Sequence, residues 1–155
     1  MKLIEYTTSY YKQLEDYQLS EAQLHFTGRP LENIYKQQGK RNHPMLLLND
    51  CDEVVTYFGL QQDHEFREYY PNQQTCLMRS YSTDLRHLRK GYGKASLTLL
   101  PDFMRQNYPE IETVILAVNE KNQAAQKLYK YGGFVDSGRR VLGEKGTLII
   151  MELTL

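Results

Sequence analysis

The sequence predicts a mixed α/β (α+β) fold, with a central, mostly antiparallel sheet of about seven strands flanked by about four helices. Three observations predict it. The middle of the chain alternates strand, helix, strand, helix, strand, the pattern that sets parallel strands side by side. Both flanks carry strand pairs joined by short polar turns, as antiparallel hairpins do. No repeat, low-complexity tract or linker interrupts the 155 residues, a length that suits one domain over 1–155.

Each element has a local reason. Residues 2–6 (KLIEY) read as a short strand. Thr7, Thr8 and Ser9 offer N-cap hydroxyls for a helix running to about residue 19. Gly28-Arg29-Pro30 breaks the chain, and Pro30 suits the first turn of a helix over 30–38, where a missing N–H costs nothing. Residues 39–42 are turn-like. Residues 44–48 form a strand ended by Asn49-Asp50, and 53–60 (EVVTYFGL), rich in β-formers, pairs with it. A polar loop at 61–74 (QQDHEFREYYPNQQ) leads to a strand at 75–83 (TCLMRSYST). Leu97, Leu100 and Met104 recur at helical spacing in 92–107, while Pro101 is expected to kink or split that helix. Residues 112–118 (ETVILAV) are a continuous apolar run, the mark of a strand buried on both faces. In the helix over 122–131, Leu128 is directed to the core and Tyr129 to a neighbouring face, and Gly132-Gly133 stops it. Residues 134–141 and 147–155 close the sheet as an antiparallel pair around Gly143-Glu144-Lys145-Gly146. The order is β-α-α-β-β-β-α-β-α-β-β.

Composition excludes some classes of function. Lys plus Arg and Asp plus Glu both number 19, so the net charge of zero argues against a nucleic-acid or membrane-surface partner. No apolar segment follows the first residues as in a signal peptide, and no run approaches the roughly 20 residues a membrane span needs. A cytoplasmic protein is expected, with Cys51 and Cys76 as reduced thiols. No metal site is expected: His25 and His43 lack ligand spacing, and His64-Glu65-Phe66-Arg67-Glu68 departs from the HExxH pattern.

The informative stretch is Leu88-Arg89-Lys90-Gly91-Tyr92-Gly93-Lys94-Ala95, between a strand and a helix. Two glycines one residue apart let the backbone turn tightly. The helix start supplies unpaired N–H groups and a positive dipole end. Together they make an anion site suited to a diphosphate. Leu88 and Ala95 fail the Walker pattern, and Ser96 stands where a Rossmann fingerprint needs its third glycine. Directly after the next buried strand comes Asn122-x-x-Ala125-x-x-Leu128-Tyr129-x-x-x-Gly133-Phe134, with Asn122 placed to cap its helix.

The two segments together resemble the acetyl-CoA site of the GNAT superfamily of N-acetyltransferases. The family's loop Q/R-x-x-G-x-G/A is matched by Leu88-x-x-Gly91-x-Gly93, with Leu88 in place of the usual Gln or Arg, and its later helix is matched from Asn122 to Phe134. The resemblance is strongest over about 75–135. It implies the acyl-CoA N-acyltransferase fold and acetyl-CoA as cosubstrate. It also implies a strand before the loop that splays from its parallel neighbour and holds the pantetheine arm through its backbone. The implied cofactor contacts are Tyr81, Ser82 and Thr83 on that strand, Leu88, Arg89, Lys90, Gly91, Tyr92, Gly93 and Lys94 in the loop, and Asn119, Asn122, Ala125 and Tyr129 after it. Tyr129 matches the family's proton donor to the departing thiolate. The implied reaction is direct attack of a neutral amine, of a small molecule or a protein, on the thioester in a ternary complex. The base stays open among Asp63, Glu65, Glu68 and Asp84, each of which also reads as a solvated charge, and a chain of waters; His64 and His87 titrate in the right range. Acceptor contacts are expected from the first two helices (Tyr10, Tyr11, Tyr17, His25, Phe26, Tyr35) and from the 61–74 loop, whose acids hint at a cationic amine. The alternative is an acyl-CoA-binding sensor that has lost its chemistry. A homodimer could form through the C-terminal hairpin.

Overall fold

The computed structural model describes residues 1–71 and 74–155, so positions 72 and 73 of the expected 61–74 loop lie outside the described residues. The strands are β1 (Lys2–Glu5), β2 (Asn42–Leu48), β3 (Val54–Gln61), β4 (Thr75–Thr83), β5 (Thr113–Asn119), β6 (Val135–Gly143) and β7 (Gly146–Thr154). The helices are α1 (Tyr11–Glu15), α2 (Glu21–Phe26), α3 (Pro30–Lys36), α4 (Tyr92–Asn107) and α5 (Gln123–Tyr131). All seven strands join one sheet in the order β1-β2-β3-β4-β5-β7-β6. Every neighbouring pair is antiparallel except β4 with β5. The mixed, mostly antiparallel sheet predicted from the sequence is therefore the sheet observed.

The continuous apolar strands are buried on both faces, as such strands must be. Val114, Leu116 and Val118 of β5 pack with Phe58, Leu60, Leu97, Leu100 and Phe134 under α4 and α5. Ile115, between them in sequence, turns to the opposite face with Leu77, Phe66 and Ile150. A third cluster holds α1 against the sheet through Leu14, Tyr17, Leu46, Leu48 and Tyr57.

Three expectations change. The first helix does not reach residue 19: a 3₁₀ turn at Thr8–Tyr10 leads into α1, which ends at Glu15. Tyr17 and Leu19 are then buried in non-helical chain, and Ser20 starts α2 through a capping box, its Oγ accepting from Gln23 N at 3.1 Å while Gln23 Oε1 accepts from Ser20 N at 2.9 Å. Pro101 does not split α4, because Leu97, Leu100 and Met104, on both sides of it, are all buried in one core. Tyr129 and Leu128 exchange roles: Tyr129 is 8% exposed and core-packed, while Leu128 is only partly buried at its edge.

The sheet is opened at its centre. β4 and β5 pair only over Thr75↔Thr113, Cys76↔Val114 and Leu77↔Ile115. On the other edge of β4, the β3 register jumps from Tyr57↔Ser82 to Gly59↔Arg79, so Phe58 faces both Ser80 and Tyr81. Ser80 adopts φ +55°, the left-handed conformation that an extra residue in a strand can require. A bulge bends the strand that carries it, and here β4 leaves β5 after Leu77, just ahead of the bulge.

Candidate active site

The gap between the parting strands is a cleft of about 980 Å³. Met78 to Ser82 of β4 form one wall and Leu116 to Asn119 of β5 the other. Asn122, Ala125, Leu128 and Tyr129 close it from α5, and α2, Glu32 of α3 and the β6–β7 turn line the opposite side. A smaller recess of about 240 Å³ adjoins it, bounded by Phe26, Thr27, Glu65, Arg79 and Ser80.

The structure orders the β4 wall through its main chain. Asp84 donates its N–H to Val55 O of β3 at 2.9 Å. Hydrogen-bonding sides alternate along an antiparallel strand, so Ser82 also faces β3, while Tyr81 and Thr83 turn their main chain towards the gap. Thr83 O is taken by Gln23 Nε2 at 2.8 Å, and Ser82 O and Oγ by the Tyr17 hydroxyl at 2.8 and 3.0 Å. Of the three predicted strand contacts, Tyr81 is the one whose main chain is left open to the cleft.

None of residues 88–94 lines the cleft; the glycine loop lies next to it, touching the lining residue Tyr81. Arg89 (φ +63°) and Gly91 (φ +82°) are both left-handed, which curls successive N–H groups around a concavity. Gly91 is also the N-cap of α4, a helix of 16 residues with no side-chain cap, so its first N–H groups stay available. The Tyr81 hydroxyl fastens the loop to the wall, bonding Gly93 O at 2.9 Å and Ser96 Oγ at 2.6 Å. A Cβ at Gly93 would stand 3.2 Å from Leu128 Cδ2, so a side chain there would require Leu128 to give way. Leu88, Arg89, Lys90 and Lys94 are exposed, and Tyr92 is half-buried. Lys94 Nζ lies 4.7 Å from the centre of the Tyr131 ring.

On α5, Asn122 caps the helix by accepting from Ala125 N at 3.2 Å. Asn119 donates to Lys145 O at 3.0 Å and accepts from Lys121 N at 2.9 Å, so both side chains hold the cleft's frame. The Tyr129 ring sits between Tyr81 (5.6 Å) and Phe134 (6.0 Å). Its hydroxyl makes no hydrogen bond among the described residues. Burial, and secondarily the neighbouring Tyr81, raise its pKa above the ordinary phenol value of 10.0.

The candidate bases separate. Asp84 is fully buried and holds Arg86 at 2.8 Å; burial would raise its carboxyl, but the hydrogen bonds from Arg86 and from Gln18 N outweigh that and lower it. Asp63 is exposed and accepts from Arg41 N at 3.0 Å, and Glu68 is exposed outside both cavities. Only Glu65 borders a cavity. His64 is buried, accepts from Phe66 N at Nδ1 (3.2 Å) and therefore donates from Nε2 to Thr75 Oγ1 (3.1 Å). Burial pushes its pKa down to about 4. His87 packs on Tyr92 with ring centres 6.0 Å apart, away from the cleft. Of the expected acceptor contacts, His25 and Phe26 line the cleft, Tyr17 supports β4 from beneath, and Tyr10, Tyr11 and Tyr35 lie elsewhere.

Sequence reasoning missed Thr27, Glu32, Lys36, Arg79, Ser80, Glu144 and Lys145, all lining residues. Arg79 carried a signal, as the one charged residue of its strand; the others meet only through the fold. Among the described residues, no three His, Cys, Asp or Glu side chains gather as a metal site, and no helix is long and apolar enough to cross a membrane.

Comparison with known proteins agrees with this geometry. Residues 6–134 match the acetyltransferase (GNAT) family. The chain is 33% identical over 149 residues to YbbJ, an uncharacterized N-acetyltransferase of Bacillus subtilis (strain 168), covering 95% of this chain and 92% of that protein. The fold is shared with the aminoglycoside acetyltransferase AAC(6')-Ib in complex with coenzyme A and kanamycin (TM-score 0.75, 16% identity, covering 99% of this chain and 94% of that one). It is shared too with the spermidine N-acetyltransferase of Vibrio cholerae in complex with CoA and spermine (TM-score 0.74, 12% identity, 99% and 94%). A family match over most of the chain, with a relative that is similar from end to end, places this protein in the acetyltransferase (GNAT) family, as an N-acetyltransferase whose cosubstrate is acetyl-CoA.

Proposed function

We propose that the cleft holds acetyl-CoA with its diphosphate over the 88–94 loop and its pantetheine arm along β4, and that an acceptor amine enters from the recess side. The observation that carries this assignment is Tyr129: a buried phenol whose hydroxyl has no protein partner among the described residues, on the wall of the gap that the β4 bulge opens. The Tyr81 main chain, turned to the gap, offers the donor for the thioester oxygen as it gains charge, and such preorganised donors are a large catalytic effect.

The neutral amine attacks the thioester carbon, the C–N bond forms, the C–S bond breaks, and the electron pair leaves on sulfur. The attacking nitrogen must lose one proton and the thiolate must gain one. An ordinary thiol has a pKa near 8.5. Tyr129, raised above the usual phenol value, is protonated throughout the working range and acts first as a hydrogen-bond donor to the departing sulfur. The nitrogen's proton balances the thiolate, through solvent or a base. The whole chain, 1–155, serves as one catalytic unit in the cytoplasm, with the β6 edge of the sheet free to pair in a homodimer.

Calorimetric titration with acetyl-CoA, on the wild type and on Lys90→Glu, tests the cofactor assignment. Lys90 is exposed, so its reversal leaves the fold intact, whereas a side chain at Gly93 would press on Leu128. Binding that weakens about tenfold, or about 1.4 kcal/mol, supports the loop as the diphosphate site. Equal affinity in both proteins removes it. Binding without thiol release against any amine would turn the reading to an acyl-CoA sensor.

A further inference from the structure

The acceptor's chemistry is written in Arg79 and Glu65. Arg79 lies on β4 beside the bulge and borders both the cleft and the recess. It pairs across the sheet with Gly59, where a Cβ would meet Asn33 Oδ1 at 2.9 Å and Asn42 Oδ1 at 3.0 Å. Its guanidinium is held rigidly. One terminal nitrogen donates to Gln61 Oε1 at 2.6 Å, and Gln61, 1% exposed, is itself oriented by donating from Nε2 to Asp63 O at 2.9 Å. The other terminal nitrogen donates to Glu65 Oε1 at 2.9 Å, and that carboxylate is half exposed at the recess. A guanidinium has five N–H groups in a fixed fork. Two are engaged among the described residues, which leaves an edge for an anion. A preorganised arginine fork is the protein group best matched to a carboxylate.

The surrounding charge agrees. The residues lining the two cavities include three acids (Glu32, Glu65, Glu144) and three bases (Lys36, Arg79, Lys145). A polycation gains from an acidic surplus, and this lining has none. The recess has a volume of about 240 Å³. That suits the charged head of a small molecule.

Resting on the acetyltransferase reading above, we propose that the acceptor is a small zwitterion, an amine with a carboxylate a few bonds away. Its carboxylate binds the free edge of Arg79. Its ammonium meets Glu65, which takes one proton and leaves the neutral amine to attack the thioester. The new amide carries no basic nitrogen, so product loses the contact with Glu65 and can depart.

The test is a thiol-release assay at saturating acetyl-CoA with a panel of α- and ω-amino acids, each paired with its carboxamide, together with spermidine and kanamycin. The expected result is turnover of at least one amino acid, with kcat/KM about 100-fold above that of its amide. Arg79→Gln should remove most of that preference by lowering kcat/KM on the acid far more than on the amide. Arg79→Lys should restore part of it, and both variants should keep the wild-type acetyl-CoA affinity and circular dichroism. Equal rates on acid and amide overturn the proposal. So do a preference for spermidine or kanamycin, and failure to acetylate any amino acid by protein that binds acetyl-CoA. Protein that binds no acetyl-CoA instead sinks the acetyltransferase site assignment, and the acceptor inference falls with it.

Discussion

Replacing Tyr129 with phenylalanine removes one oxygen and leaves the packing in place. The ring is 8% exposed and is held between Tyr81 and Phe134 by contacts that do not involve the hydroxyl. That hydroxyl makes no hydrogen bond among the described residues, so Tyr129→Phe breaks none of them. Stability should therefore change by no more than about 1 kcal/mol, because the hydroxyl faces the cleft and removing it leaves no protein group unpaired. Catalysis should suffer far more. A positioned donor to a leaving group contributes about 10²–10⁴ in rate, and kcat should fall by that factor while the acetyl-CoA dissociation constant stays within about threefold. Thiol release measured by a chromogenic disulfide, calorimetry and a thermal melt on the same preparation separate these quantities. A variant that keeps wild-type kcat refutes the role of Tyr129. A loss of rate matched by an equal loss of acetyl-CoA affinity would show that the hydroxyl binds cofactor and does not assist the leaving thiolate.

Two further outcomes follow from the packing. A Cβ at Gly132 would lie 2.8 Å from Leu97 Cδ1 and 2.9 Å from Leu97 Cβ, where α4 and α5 meet, so Gly132→Ala should destabilise by about 1–3 kcal/mol in urea unfolding; an unchanged midpoint would show that the helices can part freely. His64 is kept neutral by burial, its pKa lowered from 6.5 to about 4. Between those values the unfolded chain binds more protons than the folded one, so stability is complete above pH 6.5 and is lost as pH falls towards 4, by at most about 3 kcal/mol. His64→Gln should flatten that acid limb, and parallel wild-type and variant profiles would place the acid sensitivity elsewhere.

Local chemistry marked much of this molecule. β4 and α4 begin and end where the residues alone put them, at 75–83 and 92–107, the helix because its apolar stripe follows a turn of glycines. The capping box from Ser20 to Gln23 was equally present in the sequence and was overlooked. Pro101 misled, because a local rule about one lost hydrogen bond met a core that holds the helix on both sides of it. Leu128 and Tyr129 misled in the same way: hydropathy favours leucine for the interior, yet α5 packs with the phenol in the core and Leu128 at its edge.

The sequence by itself determined the succession of seven strands and the helices after β4 and β5, the two-glycine loop before a helix, the capped helix with its tyrosine, and through them the family. These are features of neighbouring residues, where backbone freedom, capping and periodicity act over a few positions. Only the tertiary structure decided that β7 inserts between β5 and β6, that Ser80 takes a left-handed turn inside β4, and that the strands part after Leu77. It alone joined Tyr17 to Ser82, Tyr81 to Gly93, and Arg79 to Gln61 and Glu65. Those contacts follow from strand register and from which face of the sheet each helix covers. Register and packing are settled by burial summed over the whole core, which no stretch of sequence records on its own.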